Sequence, residues 1–293
     1  MTVPKPGIYR GVPFNEYLQW PAISASFLKD MEHTPHYAKV KADNPAEEKD
    51  CYTKGRLFHC LALEPEKADA LFIIKPPTYT SEKGEEKSWN GNANVCKAWM
   101  AANADRTIVS ADVYREAKAM ADRVRGLTQM APFLADADAE LSGVYQDAPT
   151  GLTCKFRFDA FKNGIILDLK STSGAAGREA FTREAQSHRY YIQVAHYIEA
   201  VKSLGLSDGV PWFAFVAVEG YAPHDVAVYD VQDDPGALSY DFLVYARIKR
   251  AMALQQTRWC MEHNEWPGYQ DNSFDMELSY QARNEMELLT GAR

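Results

Sequence analysis

A chain of 293 residues with 46% hydrophobic and 25% charged positions has the balance of a globular protein, which argues against a disordered, collagen-like or coiled-coil chain. Its 32 Lys and Arg stand against 40 Asp and Glu, a formal charge of −8. A surface that coats nucleic acid throughout is disfavoured by that balance, although a local basic groove is not. The N-terminus shows no charged stretch followed by an apolar one, and no apolar run nears the roughly 18 residues of a membrane helix. The expectation is a cytoplasmic protein with no membrane partner. Cys51, Cys60, Cys96, Cys154 and Cys260 are scattered and form no CxxC pair, which predicts reduced thiols and no zinc ribbon or iron–sulfur cluster.

In chain order, residues 23–40 read as one helix opened by Ser24 and Ser26, with Phe27, Leu28 and Met31 as its apolar side and Pro35 interrupting it. Residues 53–63 form a second helix, stopped by Pro65. The Pro-, Gly- and charge-rich stretch 76–94 predicts a mobile surface loop. Residues 110–127 place Val113, Ala117, Met120, Ala121 and Val124 at helical spacing. The period then changes. Residues 140–146 predict a strand and 148–151 a turn, and 152–161 alternate. Leu152, Cys154, Phe156, Phe158 and Ala160 would share one face, with Thr153, Lys155, Arg157, Asp159 and Phe161 on the other. A strand at 165–170, a long helix at 179–204 ended by Gly205, strands at 212–218 and 226–231, and a helix at 238–262 complete the pattern. No repeat or long linker divides the chain. The expected fold is one α/β domain, helical to about residue 135, with a central mixed sheet flanked by helices over about 136–270.

Asn163-Gly164 is the dipeptide most favoured in two-residue hairpin turns, because both positions need positive φ. With that turn, Lys162 pairs with Ile165, Asp159 falls opposite Asp168 and Arg157 opposite Lys170, so the four side chains would share a face. Two carboxylates placed across strands repel, and a divalent cation between them reverses that interaction. Oxygen ligands suit Mg²⁺ or Mn²⁺. The plainer reading is an edge hairpin of solvated charges neutralised by Arg157 and Lys170.

Companions favour the metal. Glu140 on the preceding strand brings a third carboxylate. Arg189, Gln193 and Tyr197 recur at i, i+4, i+8 and form a polar stripe on an apolar helix, although for Arg189 alone a solvated face is the better account. Upstream, Gly55 lies one turn before His59, where it would leave room for close approach; a lone helical His is also an ordinary core residue.

Taken in order, G-x-x-x-H (Gly55, His59), Glu140, Asp159, D-x-K (Asp168, Lys170) and Q-x-x-x-Y (Gln193, Tyr197) resemble the PD-(D/E)xK nuclease superfamily. The resemblance is to its RecB-like branch and the RecE (exonuclease VIII) type. ISASFLKDMEHTPHY resembles that family's N-terminal Ser-rich helix and EWPGY its C-terminal segment, so the similarity runs over about residues 20–270. One departure is Phe158, where the family name expects Pro. The four-cysteine pattern of the Cas4-type and AddB-type relatives is absent.

The resemblance implies a restriction-endonuclease-like core with helical N-terminal additions, forming a single nuclease domain. It implies a Mg²⁺ ion, replaceable by Mn²⁺, held by His59, Asp159, Asp168 and the carbonyl of Leu169. Lys170 would position or help deprotonate the attacking water, and Glu140 would hold a second metal or a water. Gln193 and Tyr197 would orient Lys170 and contact the DNA backbone. Lys155, Arg157, Lys162 and Arg189 would line the groove. Lys29, His36 and Lys39 are candidates for a 5′-phosphate pocket, with a solvated helix face the better account of each. The implied activity is an exonuclease that degrades one strand of duplex DNA from its 5′ end, leaving a 3′ tail for a recombinase or annealing protein. The implied assembly is a homo-oligomeric ring. An endonuclease or flap nuclease with the same site, and a non-catalytic DNA-end binder, are the competing functions.

Overall fold

Asn163 and Gly164 both adopt positive φ, 47° and 80°, and Lys162 pairs with Ile165, so the two-residue hairpin forms in the expected register. Gly164 is also required by space, since a Cβ there would run into Ser207. The structure, a computed structural model, describes residues 2–44, 50–269 and 276–290, and for Asp50, Cys51 and Tyr52 the backbone alone.

The N-terminal part comprises β1 (Gly7–Tyr9), α1 (Phe14–Gln19), α2 (Ala25–Met31), α3 (Pro35–Asp43), α4 (Asp50–Leu63) and α5 (Ala68–Leu71). β2 (Phe72–Ile74), β3 (Thr78–Thr80), β4 (Glu86–Ser88), α6 (Asn94–Ala102), β5 (Thr107–Val109), α7 (Ala111–Arg125) and α8 (Ala131–Asp136) follow. Next come β6 (Asp138–Gln146), β7 (Thr153–Lys162), β8 (Ile165–Thr172), α9 (Arg178–Ser187) and α10 (Tyr190–Ser203). β9 (Trp212–Glu219), β10 (Val226–Gln232), α11 (Tyr240–His263) and α12 (Tyr280–Thr290) close the chain.

The central sheet has six strands in the order β1-β6-β7-β8-β9-β10. β8 and β9 are parallel, joined through α9 and α10, and the other neighbours are antiparallel, so the sheet is mixed as expected. One core, centred on Phe156, Phe158, Ile166 and Phe213, packs the sheet against α2, α10 and α11. A second, with Leu167, Leu169 and Val216, packs the sheet against α4 and α7. Among the described residues no helix is long and apolar enough to cross a membrane. Cys60, Cys96, Cys154 and Cys260 are free thiols, and the side chain of Cys51 lies outside the described residues.

Four local expectations are corrected. The helix expected over 23–40 is two: Ser24 caps α2, and Thr34 caps α3 with Pro35 in its first turn, where a missing N–H costs nothing. The loop expected over 76–94 contains the antiparallel β3–β4 pair. The helix expected over 179–204 breaks into α9 and α10 because Arg189 takes a left-handed conformation, φ 54°. Last, β7 does not keep one apolar face. Phe158 and Phe161 join the first core, whereas Ala160, between them, joins the second. The change falls at Asp159, where the β6–β7 ladder skips from Ala139–Ala160 to Leu141–Phe158, and Glu140, left out of it on β6, carries φ 50°. Such a break in the ladder interrupts the two-residue period, so β7 side chains before and after Asp159 no longer alternate as a flat strand would have them.

Candidate active site

The interruption at Asp159 creates the site. The β7–β8 ladder ends at Ala160 and Leu167, and beyond it the Leu169 N–H is taken by the Asp159 carboxylate at 2.7 Å rather than by a β7 carbonyl. The two aspartates expected to pair across the hairpin are therefore not a ladder pair. Asp159 turns toward α4, where His59 Nδ1 lies 3.5 Å from its Oδ2. Glu140 completes a group in which His59, Glu140 and Asp159 each offer a ligand atom, all within 4.8 Å of one another.

Asp168 belongs to the face covered by α10. Its side chain is 2% exposed, its Oδ2 forms an ion pair with Lys170, and its Oδ1 accepts from Gln193 Nε2 at 2.5 Å. Gln193 thus bonds the aspartate that pairs with Lys170, and not Lys170 itself. The ring of Tyr190 lies beside Lys170, its centroid 4.8 Å from Nζ. Tyr197 is buried and packed edge-on against Phe158 with centroids 5.0 Å apart. It supports the site from within the core and has little surface left for a substrate.

Electrostatics follow from this crowding. Burial, with Asp168 and Glu140 adding repulsion against the pull of His59, pushes the Asp159 carboxyl up to about 7. Burial alone would lower the Lys170 ammonium, but Asp168 and Asp159 outweigh it and raise its pKa, so Lys170 is a cation. Because the folded pKa of Asp159 lies above its unfolded value, its contribution to stability is present below about pH 4 and lost as pH rises toward 7. Asp159→Asn removes that loss. Without metal, the variant is expected to melt several degrees above wild type at pH 8 and close to it at pH 4, from a difference of a few kcal/mol at about 1.4 kcal/mol per pH unit. Thermal melts in chelator across that range would contradict this if the two proteins tracked each other.

The expected groove cations are mostly committed elsewhere. Lys155 is buried, donates to the carbonyls of Tyr17, Leu18 and Trp20 at 3.0, 2.9 and 2.9 Å, and is brought by burial to a pKa of about 8. It fastens α1 to the sheet and does not face DNA. Arg157 binds Glu140 Oε2 at 2.5 Å, Ser142 Oγ at 2.7 Å and the Val12 carbonyl at 2.9 Å, so it positions Glu140. Arg189 pairs with Glu32 at 3.2 Å, and Lys162 with Asp136 at 3.1 Å near the hairpin turn. Lys39 pairs with Asp43, and the His36 N–H donates to the Pro267 carbonyl at 3.1 Å. A Cβ at Gly55 would meet only Ser171 Oγ at 3.9 Å, an ordinary contact, so close packing does not demand glycine there. Tyr190 was missed by the sequence reading. Its signal was its position three residues before Gln193, on the same helix face.

The fold has a parallel among known proteins. No curated protein matches the sequence. A solved structure from Eubacterium rectale, described as a candidate exonuclease, aligns with a TM-score of 0.57 at 14% identity, covering 97% of this chain and 100% of its own, a likeness of fold. Another, SSO0001, aligns over 53% of this chain and 68% of its own at 16% identity, with a TM-score of 0.26 that carries no argument. A family described as a PDDEXK-like domain of unknown function (DUF3799) matches residues 24–274, which include the whole sheet from β6 to β10 and the helices that deliver His59 and Gln193. The match spans most of the chain, which therefore belongs to the family of PDDEXK-like domains.

Proposed function

We propose that the chain is one deoxyribonuclease domain that hydrolyses phosphodiester bonds with a divalent metal, working as an exonuclease on linear duplex DNA. The observation that carries this reading is the meeting of His59, Glu140 and Asp159 beside the Asp168–Lys170 pair, at the point where β7 and β8 part. One nitrogen and several carboxylate oxygens form a donor set suited to Mg²⁺ or Mn²⁺. Asp168 is buried, its Oδ2 met by the Lys170 ammonium and its Oδ1 by Gln193, so its carboxylate is held in place beside that donor set. Held by His59, Glu140 and Asp159, with Asp168 alongside, such an ion would polarise the phosphate and lower the pKa of water.

The protein's own groups then have separate tasks. Lys170, kept charged by Asp168, offsets negative charge that develops on the phosphate. Gln193 fixes the Asp168 rotamer, and Arg157 fixes Glu140, so neither carboxylate must reorganise during the reaction. Exonuclease action, digestion from the 5′ end, a ring of identical subunits and a recombinase or annealing partner together make one coherent reading. The Eubacterium rectale protein's description supports the first. The chain's charge of −8 favours a ring, because only an inner channel then needs to attract DNA.

Linear duplexes labelled at either end, compared with closed circles in Mg²⁺, Mn²⁺ and chelator, test the proposal. The expected result is loss of 5′ label from linear DNA, no cutting of circles and no activity in chelator. Cutting of circles would make it an endonuclease, and binding without cleavage in every metal would make it a DNA-end binder.

A further inference from the structure

Nearly every cation around the centre has an anionic partner. Arg157 has Glu140, Lys170 has Asp168, Arg189 has Glu32 and Lys162 has Asp136. Lys29 is different. Among the described residues its ammonium makes no hydrogen bond or ion pair, and the adjacent Asp30 is taken by Lys41 at 2.8 Å. Its Nζ lies 5.4 Å from the ring centroid of Tyr190, the ring whose centroid is 4.8 Å from Lys170 Nζ. Burial, then the charge of Lys170, lower its pKa to about 8 against the opposing pull of Asp168 and Asp30.

The position of Lys29 is not that of a loose surface lysine. Ser24 caps α2, and Ala25, Leu28 and Met31 anchor the helix in the core shared with α10 and α11. Just before it, Ile23 bonds in both directions to β7, through its N–H to the Thr153 carbonyl at 2.9 Å and from the Lys155 N–H at 2.8 Å. A rigid helix thus carries a half-buried ammonium, with no ion pair of its own, to the ring that also flanks Lys170. A charge taken partly out of water without a partner is unfavourable, so such a group is matched by an anion that arrives with the substrate.

We infer that Lys29 and Lys170 together grip one phosphate group of the DNA backbone, that of the bond being cut, with Tyr190 spacing the two ammoniums. This rests on the nuclease reading and adds a phosphate-contacting residue contributed from outside the sheet. Lys29→Met keeps the aliphatic stem and removes the charge. Wild type and variant are compared on linear duplexes ending in 5′-phosphate or 5′-hydroxyl, with thermal melts to confirm folding. The expected result is a fall in kcat of about tenfold to a hundredfold with KM changed far less, equal on both ends, and largely restored by Lys29→Arg. A change below about twofold overturns the inference, as does a loss confined to 5′-phosphate ends, which would make Lys29 a terminal-phosphate contact.

A second measurement does not depend on cleavage. Binding of a short duplex to Lys170→Met protein is titrated against salt, with and without Lys29→Met. Loss of one phosphate contact is expected to flatten the salt slope by about one. An unchanged slope overturns the inference. A wild type that cuts DNA while Lys29→Met cuts equally well sinks this inference alone, whereas a wild type that neither cuts nor binds DNA removes the nuclease reading with it.

Discussion

Lys170→Met is expected to lower DNA hydrolysis by at least about a hundredfold, and closer to a thousandfold if its charge acts mainly in the transition state. The ammonium is held beside Asp168 and kept protonated by two carboxylates, so its task is to meet negative charge as the phosphate reacts. Methionine fills much of the same space against Tyr190, which confines the change to charge. The variant should remain folded and bind metal at least as well, because a competing cation has been removed from Asp168. Single-turnover cleavage of end-labelled duplex, with calorimetric Mn²⁺ titration in parallel, separates the outcomes. Unchanged cleavage would refute the assigned chemistry, and lost Mn²⁺ binding would instead place Lys170 among the groups that build the site.

The second large effect concerns stability. Arg250 on α11 is buried and donates to Asp147 Oδ1 at 2.7 Å and to the Tyr145 hydroxyl at 3.0 Å. Tyr145 meets His196 Nδ1 at 3.1 Å, and His196 Nε2 reaches the Lys155 carbonyl at 3.0 Å, so one polar chain joins β6, β7, α10 and α11. Arg250→Met leaves Asp147 buried without its countercharge, at a cost of about 3–5 kcal/mol and roughly 10 °C in Tm. Arg250→Met combined with Asp147→Leu should recover part of that loss, since an apolar pair costs less than a stranded charge. Denaturant melts of the single and double variants measure this, and a single variant within 1 kcal/mol of wild type, against the expected 3–5, would refute it. Acid should weaken the wild type through the same chain. Burial, with Arg250 nearby, depresses the His196 pKa to about 3, so the stability its neutral form contributes is present above about pH 6.5 and is lost progressively as pH falls below it.

How much of this was legible depended on how local the cause was. Asn163-Gly164 dictated its own turn, and with a two-residue period the pairing of Lys162 with Ile165 followed at once. The same arithmetic failed three residues further on, because the sheet ladder breaks at Asp159, with left-handed Glu140 left out of the neighbouring strand's pairing. The cations failed for a related reason. Lys155 and Arg157 sit in a strand flanked by apolar residues, and nothing in that pattern shows that the carbonyls of Tyr17, Leu18, Trp20 and Val12 will close over them from more than 130 residues away. Arg189 ends α9 without a Pro or Gly beside it, so no local breaker announced the split.

By itself, the sequence determined the chemical inventory, which is two aspartates, a glutamate, a histidine and a lysine in a strand-turn-strand setting, along with the hairpin register and the mixed α/β layering. Those depend on residue type and short-range period, which neighbours along the chain decide. Only the tertiary structure decided which carboxylate faces His59 and which faces Lys170. It also decided that Gln193 serves Asp168, and that Lys29 arrives beside Tyr190 without a partner. Each of these is a meeting between segments distant in sequence, and their directions are set by how helices pack across the two faces of the sheet.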